Sequence, residues 1–292
     1  MLEIGVFAPY GTDHDRNLAF CQDSDVHHII LGTAAIAGPD TNGVPSADTL
    51  KDLARTYTAG GVTLAALTPP RISQEALSDP EVRASEMDMM TRIIQGMGEA
   101  SIPFLHLYLN TAPYPSDPDE KARLWDGTVS IYKELTGLCE KVGVQVSTHH
   151  YHRPDRLLWN YGTMARLFDE VGSPANGVTF CQGKSELAGE NLSETILKYR
   201  DRVFMVHIRD IVTRVSDPVS EETRKRLADY GYLEVAFGTG EVDMPGTIRA
   251  LKQIDYTGQL YAEHYPAIAG DRAAGLAWCI GYMRALDQTL EP

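Results

Sequence analysis

The sequence predicts an α/β protein, a single (β/α)8 TIM barrel with an insertion after the seventh strand. Three observations carry this prediction. Eight apolar runs of strand length recur along the 292 residues. Helical patterns alternate with them. The first run is not followed by the Gly-rich phosphate fingerprint of a doubly wound sheet, since Phe7-Ala8-Pro9-Tyr10-Gly11-Thr12 is not GxGxxG.

The runs cover 3–8, 26–31, 62–67, 103–109, 144–149, 177–181, 203–208 and 259–264. Most are apolar on both faces, as strands covered on both sides should be. Between them, 79–100 opens with Asp79 as a cap and Pro80 at the first helical position. The stretch 119–142 repeats Leu124, Ile131, Leu135 and Leu138 at helical spacing, and 191–200, 244–254 and 273–286 continue the alternation. The one long interruption, 210–240, holds a charged helical stretch at 220–230 and Gly-Thr-Gly at 238–240. Following the seventh strand, it would sit at the catalytic mouth and is long enough for a lid. No repeat or linker divides the chain, so 1–292 reads as one domain.

A hydrophobic share of 43% suffices for a large core. The net charge of −14 argues against non-specific binding to nucleic acid or an acidic membrane. It leaves room for an anionic substrate, because the local field of a cleft can oppose the net charge. Met1-Leu2-Glu3-Ile4-Gly5 lacks the basic and apolar regions of a leader, and no run nears the roughly 18 apolar residues of a membrane span. Cys21, Cys139, Cys181 and Cys279 lack CxxC spacing and read as reduced thiols, so a cytoplasmic location is expected.

Chemistry is concentrated in four runs that end on metal-binding residue types: Val146–His150, Val178–Cys181, Phe204–His207 and Leu260–His264. Residues at the carboxyl ends of neighbouring barrel strands converge on one point. A lone strand histidine is more often a hydrogen-bonded core residue than a ligand, and a lone buried cysteine is usually a small hydrophobe. Four consecutive strands ending this way favour a site. The metal set read from it is His149, Cys181, His207 and Glu263, which suits a borderline divalent ion. Alternation lets only one of His149 and His150 face inward, and His149 is favoured. His106 reads as packed or substrate-side, and His27 and His28 as structural at the far end of the second strand. Trp125, Trp159 and Trp278 fall in helical patterns.

Gly177-Val178-Thr179-Phe180-Cys181-Gln182-Gly183 and Phe204-Met205-Val206-His207-Ile208-Arg209-Asp210 resemble the CxG and VHLR motifs of the mannonate dehydratase family. Glu234–Met244 resembles that family's acidic segment ending in GDGDVDM, and 275–286 its closing helix. The resemblance covers the second half well and the first half as a barrel pattern, within the wider xylose-isomerase-like barrels. It implies that His149, Cys181 and His207 are metal ligands, that Glu263 stands where the family has Asp, and that His264 matches a catalytic histidine. Arg209 matches an arginine on the substrate carboxylate. The family's tyrosine before the last helix has no counterpart in 267–272.

The implied reaction is loss of water from a sugar acid, D-mannonate to 2-keto-3-deoxy-D-gluconate, in hexuronate catabolism. Mn²⁺ is the first expectation, with Fe²⁺ and Zn²⁺ left open. His264 would act as general acid or base, because imidazole takes or gives a proton near neutrality. Arg209 would clamp the carboxylate as catalytic and substrate-binding residue, with Asp210 orienting it and His150 on the substrate side. A metal-dependent sugar isomerase or epimerase is the second reading, and a non-catalytic sugar-acid-binding barrel the third. A small sugar acid is the expected partner. Barrels of this size often associate, which is compatible with a homo-oligomer.

Overall fold

A computed structural model describes the chain except residues 38–42, 111, 216–219 and 292. Eight strands form its centre: β1 Glu3–Phe7, β2 His28–Gly32, β3 Thr63–Thr68, β4 Phe104–Asn110, β5 Gln145–His149, β6 Asn176–Cys181, β7 Val203–Ile208 and β8 Gln259–Ala262. Each pairs in parallel with its neighbour in chain order. β8 pairs with β1, so the sheet closes into a (β/α)8 barrel. All eight predicted runs lie on these strands, shifted by two residues or fewer at their starts and ends.

A helix follows each strand: α1 His14–Asp23, α2 Ala47–Ala59, α3 Pro80–Glu99, α4 Pro118–Val142, α5 Tyr161–Val171, α6 Leu192–Lys198, α7 Met244–Gln253 and α8 Arg272–Thr289. Their starts are written in the sequence. Asp79 accepts the Glu81 and Val82 backbone N–H groups with Pro80 at the first turn, and Asp117 accepts the Asp119 N–H with Pro118 behind it. Each cap satisfies donors that a helix cannot satisfy itself, which is worth about 1 kcal/mol.

Alternation along the strands sorts the buried side chains into two groups. Even-numbered positions of β5 to β8, such as Val146, Val178, Val206 and Leu260, pack outward against the helices in the main core. Odd-numbered positions on the same strands face the barrel axis, except at the start of β7, where the pairing with β6 slips by one residue and Phe204 joins the axial layer. At the amino end of the axis, Ile30, Ala66, Met205 and Tyr261 pack with Phe7, Phe104 and Phe204. Those rings fit because Gly5 and Gly177 carry no side chain. A Cβ at Gly5 would overlap the Tyr261 ring, and one at Gly177 the Phe204 ring.

The predicted insertion is a compact excursion. Asp210–Val212 pairs antiparallel with Leu233–Val235, and a helix, Glu221–Tyr230, lies between them. Residues 216–219 of this segment lie outside the described residues. The Asp210 carboxylate accepts N–H groups from Ile211, Gly238 and Gly240 at 2.8–3.0 Å and from Val242 at 3.4 Å, tying both ends together. One tryptophan differs from expectation: Trp159 stands in the loop before α5, whose cap is Asn160, whereas Trp278 lies on α8 and is half exposed.

Candidate active site

The axial faces of β5 to β8 continue upward through Ser147 and His149, Thr179 and Cys181, His207 and Arg209, and Glu263. Glu263 is the hub. Its Oε2 lies 2.7 Å from an Arg209 terminal nitrogen, 3.4 Å from His207 Nδ1 and 3.4 Å from Cys181 Sγ. Its Oε1 is 3.5 Å from His149 Nε2 and 3.5 Å from His264 Nε2. The Tyr108 hydroxyl donates to the same oxygen at 3.2 Å.

His149, His207 and Glu263 each offer a ligand atom, all within 4.8 Å of one another. His149 Nε2 and both ring nitrogens of His207 are buried and find no hydrogen-bond partner among the described residues. Buried nitrogens left unpaired cost free energy, and converging lone pairs around a carboxylate are what a divalent ion satisfies. The donor set therefore fits a metal. Cys181 stands beside this trio through Glu263 and is not part of its tight group. Burial pushes the Cys181 thiol up to about 12 despite nearby Arg209, so only a bound cation would make it a thiolate.

The field at the site is arranged around Glu263. Burial alone would push its carboxyl up, but Arg209 first, then His149 and His207, outweigh burial and hold it well below the usual carboxylate range. Burial drives His149 down to about 4 against the pull of Glu263. Its imidazole is therefore neutral near pH 7 and able to ligate. Burial opposes charge on Arg209 too, yet Glu263 keeps it a cation. Its remaining terminal nitrogen and Nε have no hydrogen-bond partner among the described residues, although Glu234 lies 3.9 Å away.

Two residues assigned to substrate lie elsewhere. His150, an even-numbered position, is buried on the outer side of β5. Its Nδ1 contacts the Tyr151 carbonyl at 2.7 Å, and its Nε2 accepts the Cys181 N–H at 3.3 Å. It fixes backbone and does not line the cavity. Asp210 also points away from the axis and holds the excursion closed. Arg209 is oriented instead by Glu263. His264 caps the barrel with a left-handed backbone, φ 54°, and its side chain is 57% exposed over the mouth. His106 is packed one layer below the trio, with Nδ1 2.9 Å from the Thr68 hydroxyl.

Tyr108 was missed by the sequence reading. β4 pairs with β5 so that Tyr108 stands opposite His149, and the two rings stack at 4.7 Å. Burial first, then Glu263, holds its phenol well above its ordinary pKa, so it remains a neutral donor. Inward alternation from His106 was the available signal.

Above Glu263 opens a cavity of about 590 Å³. Five cations line it (Arg71, Arg153, Arg156, Lys184 and Arg209) against the carboxylates of Asp229 and Glu263. The last turn of the excursion helix and Tyr232 form one wall. In a chain of net charge −14 this cleft has the opposite local sign.

Residues 31–285 match the family described as xylose isomerase-like TIM barrel. The chain belongs to that family. Among curated relatives, mannonate dehydratase of Rhizobium meliloti is 28% identical over 218 residues, covering 64% of this chain and 50% of the relative. That of Thermotoga petrophila is 23% identical over 190 residues, covering 58% and 49%. The chain thus spans about half the length of the curated relatives it matches.

Solved structures share the fold. Mannonate dehydratase from Streptococcus suis serotype 2 superposes with a TM-score of 0.73 at 16% identity, covering 100% of this chain and 97% of that one. An L-ribulose 3-epimerase gives 0.74 at 15% identity, covering 99% and 95%. The IOLI protein, solved with a zinc atom bound, gives 0.74 at 13% identity, covering 98% of each chain. No described helix is long and apolar enough to cross a membrane.

Proposed function

We propose that this family member is a metal-dependent sugar-acid dehydratase resembling mannonate dehydratase. The observation that carries the reading is Arg209: a buried guanidinium with donors to spare, set against a three-ligand cluster at the floor of a basic cavity. A neutral sugar gives such a cation no counter-charge, whereas a carboxylate accepts two parallel N–H bonds from it and neutralises it.

His149, His207 and Glu263, with Cys181 beside them, would hold a divalent ion, Mn²⁺ by preference, whose Lewis acidity lowers the cost of charge on the substrate carboxylate. The protein's own groups do the rest. Arg209 fixes the carboxylate and so points the C2–H bond up toward the mouth. His264 Nε2 takes the C2 proton and returns a proton to the departing C3 hydroxyl, leaving an enol that becomes the 2-keto-3-deoxy acid plus water. Tyr108 holds Glu263 and braces His149. The last turn of the excursion helix walls one side of the cavity.

The test is to incubate the Mn²⁺-loaded protein with D-mannonate, other sugar acids and neutral sugars, and to assay 2-keto-3-deoxy product. Product from an aldonate that disappears in Arg209→Lys and in the Cys181→Ser, His207→Ala double variant is expected. Exchange of a C–H proton with solvent and no dehydration would instead assign an isomerase or epimerase. No divalent ion bound by the parent, together with a double variant that changes nothing, would remove the metal from the reading.

A further inference from the structure

Resting on the sugar-acid reading, we infer that the natural substrate carries a second anionic group, a carboxylate or a phosphate, at the end of the chain remote from Arg209. One carboxylate needs one guanidinium, and Arg209 beside Glu263 already provides it at the cavity floor. Four further cations line the upper cavity: Arg71 after β3, Arg153 and Arg156 after β5, and Lys184 after β6. A monoanion held at the floor engages none of this upper set.

The nearby carboxylates do not cancel the set. Asp155 engages Arg153 through two bonds at 2.7 and 3.1 Å and lies 3.5 Å from Arg156. Asp229, the other upper carboxylate, lies 2.7 Å from Lys225 outside the cavity. Among the described residues Arg71 and Lys184 stand in no ion pair, so the upper cavity keeps a positive excess that a carboxylate or a phosphate would offset. Lys184 is also placed to turn toward a ligand. Its ammonium donates to the Tyr232 hydroxyl at 2.8 Å, a neutral partner.

His152 reports the field between them. Its ring stands edge-on to Tyr232 at 5.6 Å, and its Nδ1 is buried without a hydrogen-bond partner among the described residues. Burial pushes this imidazole down to about 3, helped by Lys184, Arg209, Arg153 and Arg156 in that order. One ring thus feels cations from both ends of the cavity. An anion placed beside it would meet the focused positive field of a low-dielectric cleft.

The experiment is calorimetric titration of the Mn²⁺-loaded protein with D-mannonate, D-mannarate, 6-phospho-D-mannonate and neutral D-mannose. Either mannarate or the phosphomannonate is expected to bind at least about tenfold more tightly than mannonate, and which one does names the second group. Raising the salt concentration should shrink that advantage. The Arg153→Gln, Arg156→Gln double variant should weaken the preferred two-anion ligand by at least about tenfold more than it weakens mannonate. Two-anion ligands that bind no better than mannonate, or a double variant that weakens both equally, would overturn the inference and leave the dehydratase reading standing. Mannose binding as tightly as mannonate would overturn the sugar-acid reading itself, and this inference with it.

Discussion

The two ends of the barrel are built from the same strands by the same alternation, and they hold opposite interiors. At the amino end, Phe104, Phe204 and Tyr261 fill the axis over Gly5 and Gly177. Two residues beyond Met205 on β7 and Tyr261 on β8, the same face carries His207 and Glu263, and histidine nitrogens are left without hydrogen bonds. One end gains stability from ring packing; the other accepts the cost of buried polar groups awaiting a ligand. The barrel tolerates the second because the first holds the strands in register.

The largest effect expected from breaking that contrast is at the hub. Glu263→Ala leaves Arg209 buried and uncompensated, which should cost about 3–5 kcal/mol of stability in urea unfolding with chelator present. Adding Arg209→Met should recover much of the loss. An Ala variant as stable as the parent would mean that the pair is not the electrostatic anchor of the upper barrel.

At the opposite end, Gly5→Ala forces a methyl into the Tyr261 ring. It should cost about 1–3 kcal/mol by overpacking, and Tyr261→Leu should restore part of it. Metal affinity, measured on the same variants, should hold, since the fault lies below the ligands. Equal stability of Gly5→Ala and the parent would show that the amino-end layer is loosely packed.

The smallest effect separates a buried histidine from the metal trio. His150 is held down to about 3, by burial first and then by His149. Its Nε2 must stay unprotonated to accept the Cys181 N–H. Below about pH 6.5 the unfolded chain takes up a proton that the folded chain refuses, so stability falls as pH drops from there toward 3. The slope due to this one group approaches about 1.4 kcal/mol per pH unit. Unfolding of His150→Gln between pH 6.5 and 5 should show a shallower slope by about that amount. Parallel slopes for variant and parent would contradict a neutral His150.

The barrel was legible because its strands are apolar on both faces and its helices announce themselves with Asp-Pro caps. The convergence of His149, His207 and Glu263 was legible for the same periodic reason. What escaped depends on which way alternation points at each strand's end. His150 and Asp210 are neighbours of site residues in sequence, and one step along a strand turns a side chain to the other face. Tyr108 sits in a run where every residue looks like core, and only its pairing with β5 sets it against His149. The basic lining of the cavity is drawn from four separate loops and strand ends, so no local pattern contains it.

Asp210 gives the excursion after β7 a property of its own. With one carboxylate gathering N–H groups from residue 211 and from residues 238–242, the segment leaves and rejoins the barrel at nearly the same point. Its length is thereby uncoupled from the geometry of β7 and α7. Loop closure grows costlier only slowly with length, so the stretch between can be exchanged as a cassette. The cavity wall could then be reshaped by grafting, with His149, His207 and Glu263 on the floor inherited unchanged.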